Sequence, residues 1–242
     1  MLNRLNFNNW QSLAWWLPVS TLTLYLKYHY SIAEAGDLQW MLQPLCELIE
    51  LVTGYEFQQD SNGEWFSHEA DVHLVNSCAG INFMLMSLLA YAWVFRPDAQ
   101  QTQSDYYWLA GHLILIATIL LAAWTTALLA NALRILLAMA LQTDDSVITS
   151  LGLSDDEVHR YIGLAVYLPI LSLQLLADKK RTSPRQLILI PVLLYVLTMV
   201  LIPLLTGNAL LKPGLFFTHI IQLGAGIAFI QGLIFMVVRK RV

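Results

Sequence analysis

The chain has 242 residues, of which 57% are hydrophobic and only 12% are charged, and its mean hydropathy is +0.57. Soluble domains carry about 45–50% apolar and about 25% charged residues, so this composition argues against a soluble domain and favours a polytopic membrane protein. The net charge is −4, and most charged residues lie in the predicted loops. We therefore expect a lipid bilayer around the chain and no nucleic-acid partner.

The first two predicted elements are a membrane span and a shorter helix. Residues 10–28 are apolar, with aromatic residues at both ends that suit the two membrane interfaces. No small-residue cleavage signal follows them, so we predict a retained span rather than a removed signal peptide. Residues 38–52 include Glu47 and Glu50 and are too short and too polar to span. We predict a helix that lies in the interface or packs under the bundle.

Two longer apolar segments follow an acid-rich polar loop at residues 54–71. Residues 74–95 form the second predicted span. As a helix, residues 106–141 would be about 54 Å long, well beyond a hydrocarbon core of about 30 Å. We therefore predict that this third segment spans and then continues through a break or a re-entrant turn. Beyond the acidic loop at residues 143–157, the remaining predicted spans are residues 160–177, 187–205 and 215–238.

The basic residues predict an orientation. With six spans and the N-terminus inside, nine of the thirteen Lys and Arg residues lie in inner loops or at the termini, and the acid-rich loops lie outside. We therefore predict one all-α domain over residues 1–242, a polytopic membrane helix bundle of about six spans plus an interfacial helix. Both termini are expected on the cytoplasmic side.

The polar loop meets the second span at Val75-Asn76-Ser77-Cys78-Ala79-Gly80-Ile81-Asn82. The small residues after Cys78 would let another chain approach the sulfur closely. A lone cysteine is more often a small buried hydrophobe, so this stretch is a weak signal by itself. Cys46 is the only other cysteine, which allows at most one bridge and implies no disulfide framework.

The predicted topology brings three further polar residues to the depth of Cys78. Asn131 and Arg134 lie late in the third segment, and His159 comes just before the fourth span. An arginine among apolar residues costs at least about 2.5 kcal/mol on membrane insertion scales, and the spacing of three puts it on one helix face with Asn131. The alternatives are an Arg134 that snorkels to the interface and a His159 that forms an exposed pair with Arg160.

Together these residue types favour acyl transfer. A cysteine thiolate is the nucleophile, a histidine can accept its proton, and a fixed guanidinium can stabilise the oxyanion of a tetrahedral intermediate. A thioester would form and then be resolved by water or by an amine. A site at the outer face would suit a substrate whose scissile bond lies just outside its own membrane anchor.

These motifs resemble the exosortase/archaeosortase family. The resemblance rests on Cys78-Ala79-Gly80 at an outer helix mouth, Asn131 with Arg134 in a later span, and His159 before the next. It covers residues 74–177 in motif order and topology, and the sequence around Cys78 is most similar to that of the exosortase K branch. Many relatives have Ser after the Cys, where this chain has Ala79, which indicates that the hydroxyl is not needed for the chemistry.

The resemblance implies a cysteine protease or transpeptidase of the bacterial inner membrane, with its active site facing outward. Such an enzyme cleaves a C-terminal sorting signal of exported, membrane-anchored proteins, and the K branch implies a single dedicated partner. Cys78 would be the nucleophile, His159 the proton carrier and Arg134 the oxyanion-stabilising or substrate-positioning cation. Asn131 would orient Arg134. The resemblance implies no cofactor.

Other patterns leave alternatives open. His68, Glu69, Asp71 and His73 could bind a metal, but their spacing matches no zinc motif, so we favour a solvated acidic loop and expect no metal. His73 competes with His159 as the base because it lies five residues before Cys78. A membrane transporter or a structural subunit is the competing class of function. The polar residues at one mouth, with no internal repeat, argue against a transporter.

Overall fold

The computed structural model of the protein describes residues 3–96, 105–142, 155–178 and 183–201, with residue 224 besides. This part of the chain is mostly helical. Its α-helices are α1 (Asn3–Ile32), α2 (Gln39–Thr53), α3 (Ile81–Val94), α4 (Asp105–Gln142), α5 (Asp155–Leu176) and α6 (Pro184–Val196), and a π-helical turn, Leu197–Leu201, continues α6. The predicted span at residues 215–238 and most of the acidic loop at residues 143–157 lie outside the described residues.

Three segments of the described chain are long and apolar enough to cross a membrane. They are Asn76–Val94, Ala110–Leu141 and Val158–Leu176, which coincide with the second, third and fourth predicted spans. A fourth apolar stretch, Leu189–Val200, covers most of α6 and its π-helical continuation and is shorter. The transmembrane character predicted from composition is therefore supported by three helices.

Helix α4 corrects one prediction. Residues 106–141 were expected to contain a break or a re-entrant turn, but α4 is a single uninterrupted helix of 38 residues. Its sequence contains no proline and only one glycine, Gly111, so nothing after the first turns interrupts the backbone hydrogen bonds. At about 1.5 Å per residue the helix is about 57 Å long, so in a hydrocarbon core of about 30 Å it would have to tilt or project beyond the core.

The polar loop also differs from its prediction, because it folds into a small antiparallel sheet of β1 (Gln58–Gln59), β2 (Trp65–Ser67) and β3 (Val72–Leu74). The Gln39 side chain at the start of α2 holds the sheet against the bundle. It donates to the Gly63 carbonyl at 2.6 Å and accepts from the Trp65 indole at 2.9 Å. Strands of two or three residues are too short to show alternation in the sequence, which is why the sheet was not predicted.

Contacts near both ends of the helices establish their relative directions. Trp15 of α1 donates to the Ala92 carbonyl of α3 at 3.1 Å, while Lys27 donates to Asn82 at 2.5 Å, so α1 and α3 are antiparallel. Helices α3 and α5 are parallel, because Phe83 near the start of α3 stacks on Tyr167 in the middle of α5, and Ser87 accepts a hydrogen bond from Gln174 further along both helices.

Helix α4 begins at the end of the bundle where α3 finishes. His112, near its start, lies edge-on to Trp15 with 5.8 Å between ring centroids. At that same end, Arg96 after α3 and Asp178 after α5 form an ion pair of 3.9 Å. The start of α3, the late part of α4 and the start of α5 therefore share the opposite end, where the predicted site residues lie.

Trp15 is the largest fully buried side chain at the junction of α1, α3 and α4, and it is 1% exposed. We expect Trp15→Ala to lower the free energy of unfolding by about 3–5 kcal/mol, because it leaves a cavity and removes the hydrogen bond to Ala92. Leu17→Ala, at a site on the same helix that is 60% exposed, is the control and should change it far less. Denaturant titration of the detergent-solubilised protein measures both, and equal effects would contradict this packing.

Candidate functional site

Cys78 lies in a short turn that joins the sheet to the bundle. Residues Asn76–Ala79 form one 3-10 turn between β3 and α3, and the Cys78 N–H donates to the Val75 carbonyl at 2.8 Å. The Asn76 side chain donates to the Ala33 carbonyl at 3.0 Å, which ties the turn to the end of α1. Cys78 is half-buried, and both cysteines are free thiols, so no bridge joins it to Cys46.

Asn131 of α4 holds this turn from the other side. Its side-chain amide donates to the Cys78 carbonyl, and its oxygen accepts from the Tyr167 hydroxyl at 2.9 Å. Asn131 is 1% exposed, so the two hydrogen bonds satisfy an amide that would otherwise be costly to bury. Tyr167 is in turn fixed by stacking on Phe83, with 4.2 Å between ring centroids.

These bonds differ from the expected role of Asn131. The resemblance implied that Asn131 orients Arg134, but its amide joins the Cys78 turn to α5, and none of the described hydrogen bonds connects it to Arg134. The two side chains point in directions about 60° apart on α4, since residues three apart differ by about 300°. Asn131 therefore positions the cysteine, and Arg134 is positioned by other contacts.

Gly80 makes the close approach of Asn131 possible. Its φ of +72° lies in the left-handed region, and a Cβ at this position would be 3.0 Å from the Asn131 side chain. Any other residue here would strain the backbone and push against the amide. Glycine two residues after Cys78 is thus required by the hydrogen bond that holds the cysteine turn.

Arg134 is half-buried and makes no ion pair with any described residue. Its Nε is buried without a hydrogen-bond partner in this part of the chain. The stem of the side chain crosses α5 at Gly163, where a Cβ would be 3.6 Å from the Arg134 Cδ. The same Cβ position would be 3.7 Å from the Tyr167 ring, and Tyr167 bonds to Asn131, so the Arg134 stem lies beside the side chains that hold the Cys78 turn.

His159 lies in the first turns of α5 and is exposed. It comes four residues before Gly163 and so lies one turn away on the same face of α5. It is at the same end of the bundle as Cys78, Asn131 and Arg134. His73, the competing base, has its Nε2 engaged by the Glu64 carboxylate at 3.0 Å.

The acidic segment brings together a different group from the one noted in the sequence. Ligand atoms of Asp60, Glu64 and His73 lie within 4.8 Å of one another, whereas His68, Glu69 and Asp71 are not part of this group. The antiparallel register explains the change, since it pairs Phe66 with His73 and so places Glu64 diagonally beside that histidine. The contact between Glu64 and His73 faces solvent, and contacts of this kind contribute little to stability.

Sequence reasoning missed two residues of α1. Lys27, one of the four basic residues not assigned to the inner side, donates to Asn82 one turn after Cys78, and its Nζ lies 5.7 Å from the centroid of the Tyr30 ring. Tyr30 lies just beyond the first predicted span. The available signal was their spacing of three at the end of an apolar run, which puts both on one helix face.

A cavity of about 560 Å³ opens at the end of α2, with Tyr55, Asp71 and Met139 among its lining residues. It runs beside the last turns of α4. None of Cys78, Asn131 and Arg134 lines it. The cavity is therefore a feature separate from the cysteine site.

Comparisons with known proteins leave the family open, because no protein-family model, curated protein or solved structure matches the chain.

The fit of Gly80 against Asn131 is testable by Gly80→Ala. We expect the free energy of unfolding to fall by at least about 1–2 kcal/mol, because alanine disfavours the left-handed conformation and its Cβ crowds the amide. Gly111→Ala is the matched control: it has open space around it in α4 and should leave stability unchanged or raise it by up to about 1 kcal/mol. Thermal unfolding in detergent measures both, and a neutral Gly80→Ala would contradict the described geometry.

Proposed function

We propose that the protein is a membrane-embedded cysteine protease or transpeptidase that cleaves a C-terminal sorting signal of exported proteins through a thioester intermediate. One observation carries the proposal: Arg134, half-buried and without an acidic partner among the described residues, packs with Tyr167 beside Gly163, and Tyr167 is bonded through Asn131 to the turn that holds the free thiol of Cys78. A half-buried cation without a counter-charge is costly, which favours a role at a developing negative charge.

In the proposed reaction, the Cys78 sulfur attacks the scissile carbonyl carbon after His159 accepts the thiol proton. A C–S bond forms and the carbonyl π electrons move to oxygen, where the Arg134 guanidinium stabilises the negative charge. Collapse of this intermediate breaks the C–N bond, and the leaving nitrogen takes the proton from His159. A thioester remains on Cys78. Asn131 holds the cysteine turn in position throughout, supported by Tyr167 and Gly80.

The thioester is then resolved by water or by an amine. The incoming nucleophile gives its proton to His159 and attacks the same carbonyl carbon. The C–S bond breaks as the second tetrahedral intermediate collapses, and the sulfur recovers its proton from His159. Water gives a hydrolysed product, and an amine gives a transfer product. The proposed substrate is a membrane-anchored protein with a C-terminal sorting signal, and one dedicated partner is proposed for this chain.

We further propose a bundle of about six spans in the bacterial inner membrane, with α2 at the interface, both termini in the cytoplasm and Cys78 facing outward. The shared end of the bundle supports this orientation, since Cys78, Arg134 and the start of α5 lie opposite the Arg96–Asp178 ion pair. The positive-inside rule would put that ion-paired end in the cytoplasm. The resemblance to exosortases supplies the class of reaction.

Removal of the thiol tests the proposed activity. In cells that co-express exported proteins ending in a membrane helix and a basic cluster, we expect Cys78→Ala to abolish their processing. Cys46→Ala, the matched control, should retain it, because Cys46 is fully buried in α2. Mass spectrometry of the new C-terminus measures the product. Equal processing in wild type and Cys78→Ala would contradict the cysteine mechanism.

Selective labelling tests the orientation. Burial first, and then the nearby Glu50 and Glu47 carboxylates, raise the pKa of Cys46 to about 12, so its thiol stays protonated at neutral pH and reacts slowly. A membrane-impermeant maleimide applied outside the cell at pH 7.5 should therefore label Cys78 and not Cys46. Intact-mass analysis of single-cysteine variants provides the readout. Labelling of Cys78 only from inverted membrane vesicles would reverse the proposed orientation.

A further inference from the structure

Helix α1 lies along the cysteine turn in a defined register. Lys27 bonds to Asn82, four residues after Cys78, at 2.5 Å, and the Ala33 carbonyl accepts from Asn76 at 3.0 Å. The two contacts lie on either side of Cys78 in one chain segment and on either side of Tyr30 in the other. Residues 27–33 and 76–82 therefore run antiparallel and are joined at both ends, so the middle of one segment lies opposite the middle of the other. Tyr30 therefore lies opposite the cysteine.

The Tyr30 hydroxyl is a hydrogen-bond donor that no described residue uses. The ring is half-buried, and the hydroxyl makes no hydrogen bond with any residue in the described ranges. Burial raises the pKa of Tyr30, the Cys78 sulfur raises it further, and the Arg134 guanidinium lowers it, so the phenol keeps its proton at neutral pH. Tyr167, the other tyrosine near both groups, already donates to Asn131 at 2.9 Å. Only Tyr30 of this pair is available to a substrate.

We propose that Tyr30 is a further catalytic residue, whose hydroxyl donates a hydrogen bond, beside Arg134, to the carbonyl oxygen that becomes negative when the Cys78 sulfur attacks. This inference rests on the proposed acyl-transfer function. Lys27 is a positioning residue, since its ammonium group lies 5.7 Å from the centroid of the Tyr30 ring and its bond to Asn82 sets the register of α1.

The step requires no oxidant, reductant or net proton transfer from Tyr30. The S–C bond forms, the π electrons of the carbonyl move to oxygen, and the O–H of Tyr30 strengthens its hydrogen bond to that oxygen. When the intermediate collapses, the electrons return to the carbonyl and the hydrogen bond weakens. The contribution belongs to the transition state, because the hydrogen bond strengthens only as the charge develops.

The test compares two reactions of the same thiol in purified full-length protein that carries Cys46→Ala, so that Cys78 is the only cysteine. Acylation by p-nitrophenyl acetate passes through an oxyanion and releases p-nitrophenolate, whereas alkylation by iodoacetamide forms no oxyanion. We expect Tyr30→Phe to lower the ratio of the acylation rate to the alkylation rate by about 10²-fold, the loss typical of one oxyanion-hole donor.

Tyr28→Phe is the matched control, because that ring is on the same helix and is 63% exposed. It should leave the ratio unchanged. A Tyr30→Phe ratio within about twofold of the parent protein would overturn the proposal. Because both rates are measured on Cys78, a general disturbance of the fold lowers both and cancels in the ratio. Failure of the peptide-processing test with Cys78→Ala would instead overturn the proposed function.

A second variant keeps the tyrosine's shape. Replacing Tyr30 with 3-fluorotyrosine makes the phenol more acidic, so the donor loses its proton at a lower pH. The alkaline fall of the acylation rate should move to lower pH, while the pH profile of iodoacetamide alkylation should keep its position. A purely structural role for Tyr30 would move neither profile. Coincident acylation profiles for the two proteins would therefore overturn the proposal.

Discussion

The buried amide of Asn131 is the contact on which the site depends. It bonds to the cysteine turn with its nitrogen and to Tyr167 with its oxygen, so one side chain connects α4, the start of α3 and α5. A buried amide tolerates few alternative arrangements, because each unsatisfied donor or acceptor costs about 1–3 kcal/mol. Gly80 supports the same contact by leaving room for the amide. The position of Cys78 is thus specified by polar bonds within an apolar bundle.

Around this fixed turn, two cations lack acidic partners in the described ranges. Lys27 bonds to a neutral amide, and Arg134 packs its stem over Gly163 with its Nε unsatisfied. Burying a charged side chain without a counter-ion is costly. Two such side chains would therefore be difficult to explain if they served only to stabilise the fold. At a reaction centre the same arrangement is useful, since fixed cations reduce the energy of an oxyanion when it forms.

The β-sheet and the N-terminal helix support the site from outside α3, α4 and α5. The sheet leads directly into the Cys78 turn, and Gln39 ties it to the start of α2. Helix α1 bonds to both sides of the cysteine through Lys27 and Ala33. These elements restrict the turn at its entry and exit, so a thiol at the end of a membrane-type helix is held by well-separated parts of the chain.

The sequence by itself indicated a membrane protein and determined the positions of most helices, because long apolar runs are the pattern of helices that cross a membrane. Alternation of helix direction also predicted that Cys78, Asn131 and Arg134 share one end. The predicted break in α4 was wrong, because a helix without proline continues even where it is longer than the membrane core. The small sheet was missed, because strands of two or three residues show no alternating pattern.

Only the tertiary structure decided which side chains meet. Asn131 bonds to Cys78 and not to Arg134, His73 bonds to Glu64, and Lys27 bonds to Asn82. The contacts of Asn131 and Lys27 depend on how far each helix is rotated and on the register between segments more than 40 residues apart in the chain, and the contact of His73 depends on the register of the small sheet. Hydropathy specifies the depth of a residue in the bundle, but the rotation and register that pair two side chains come from packing among all the helices.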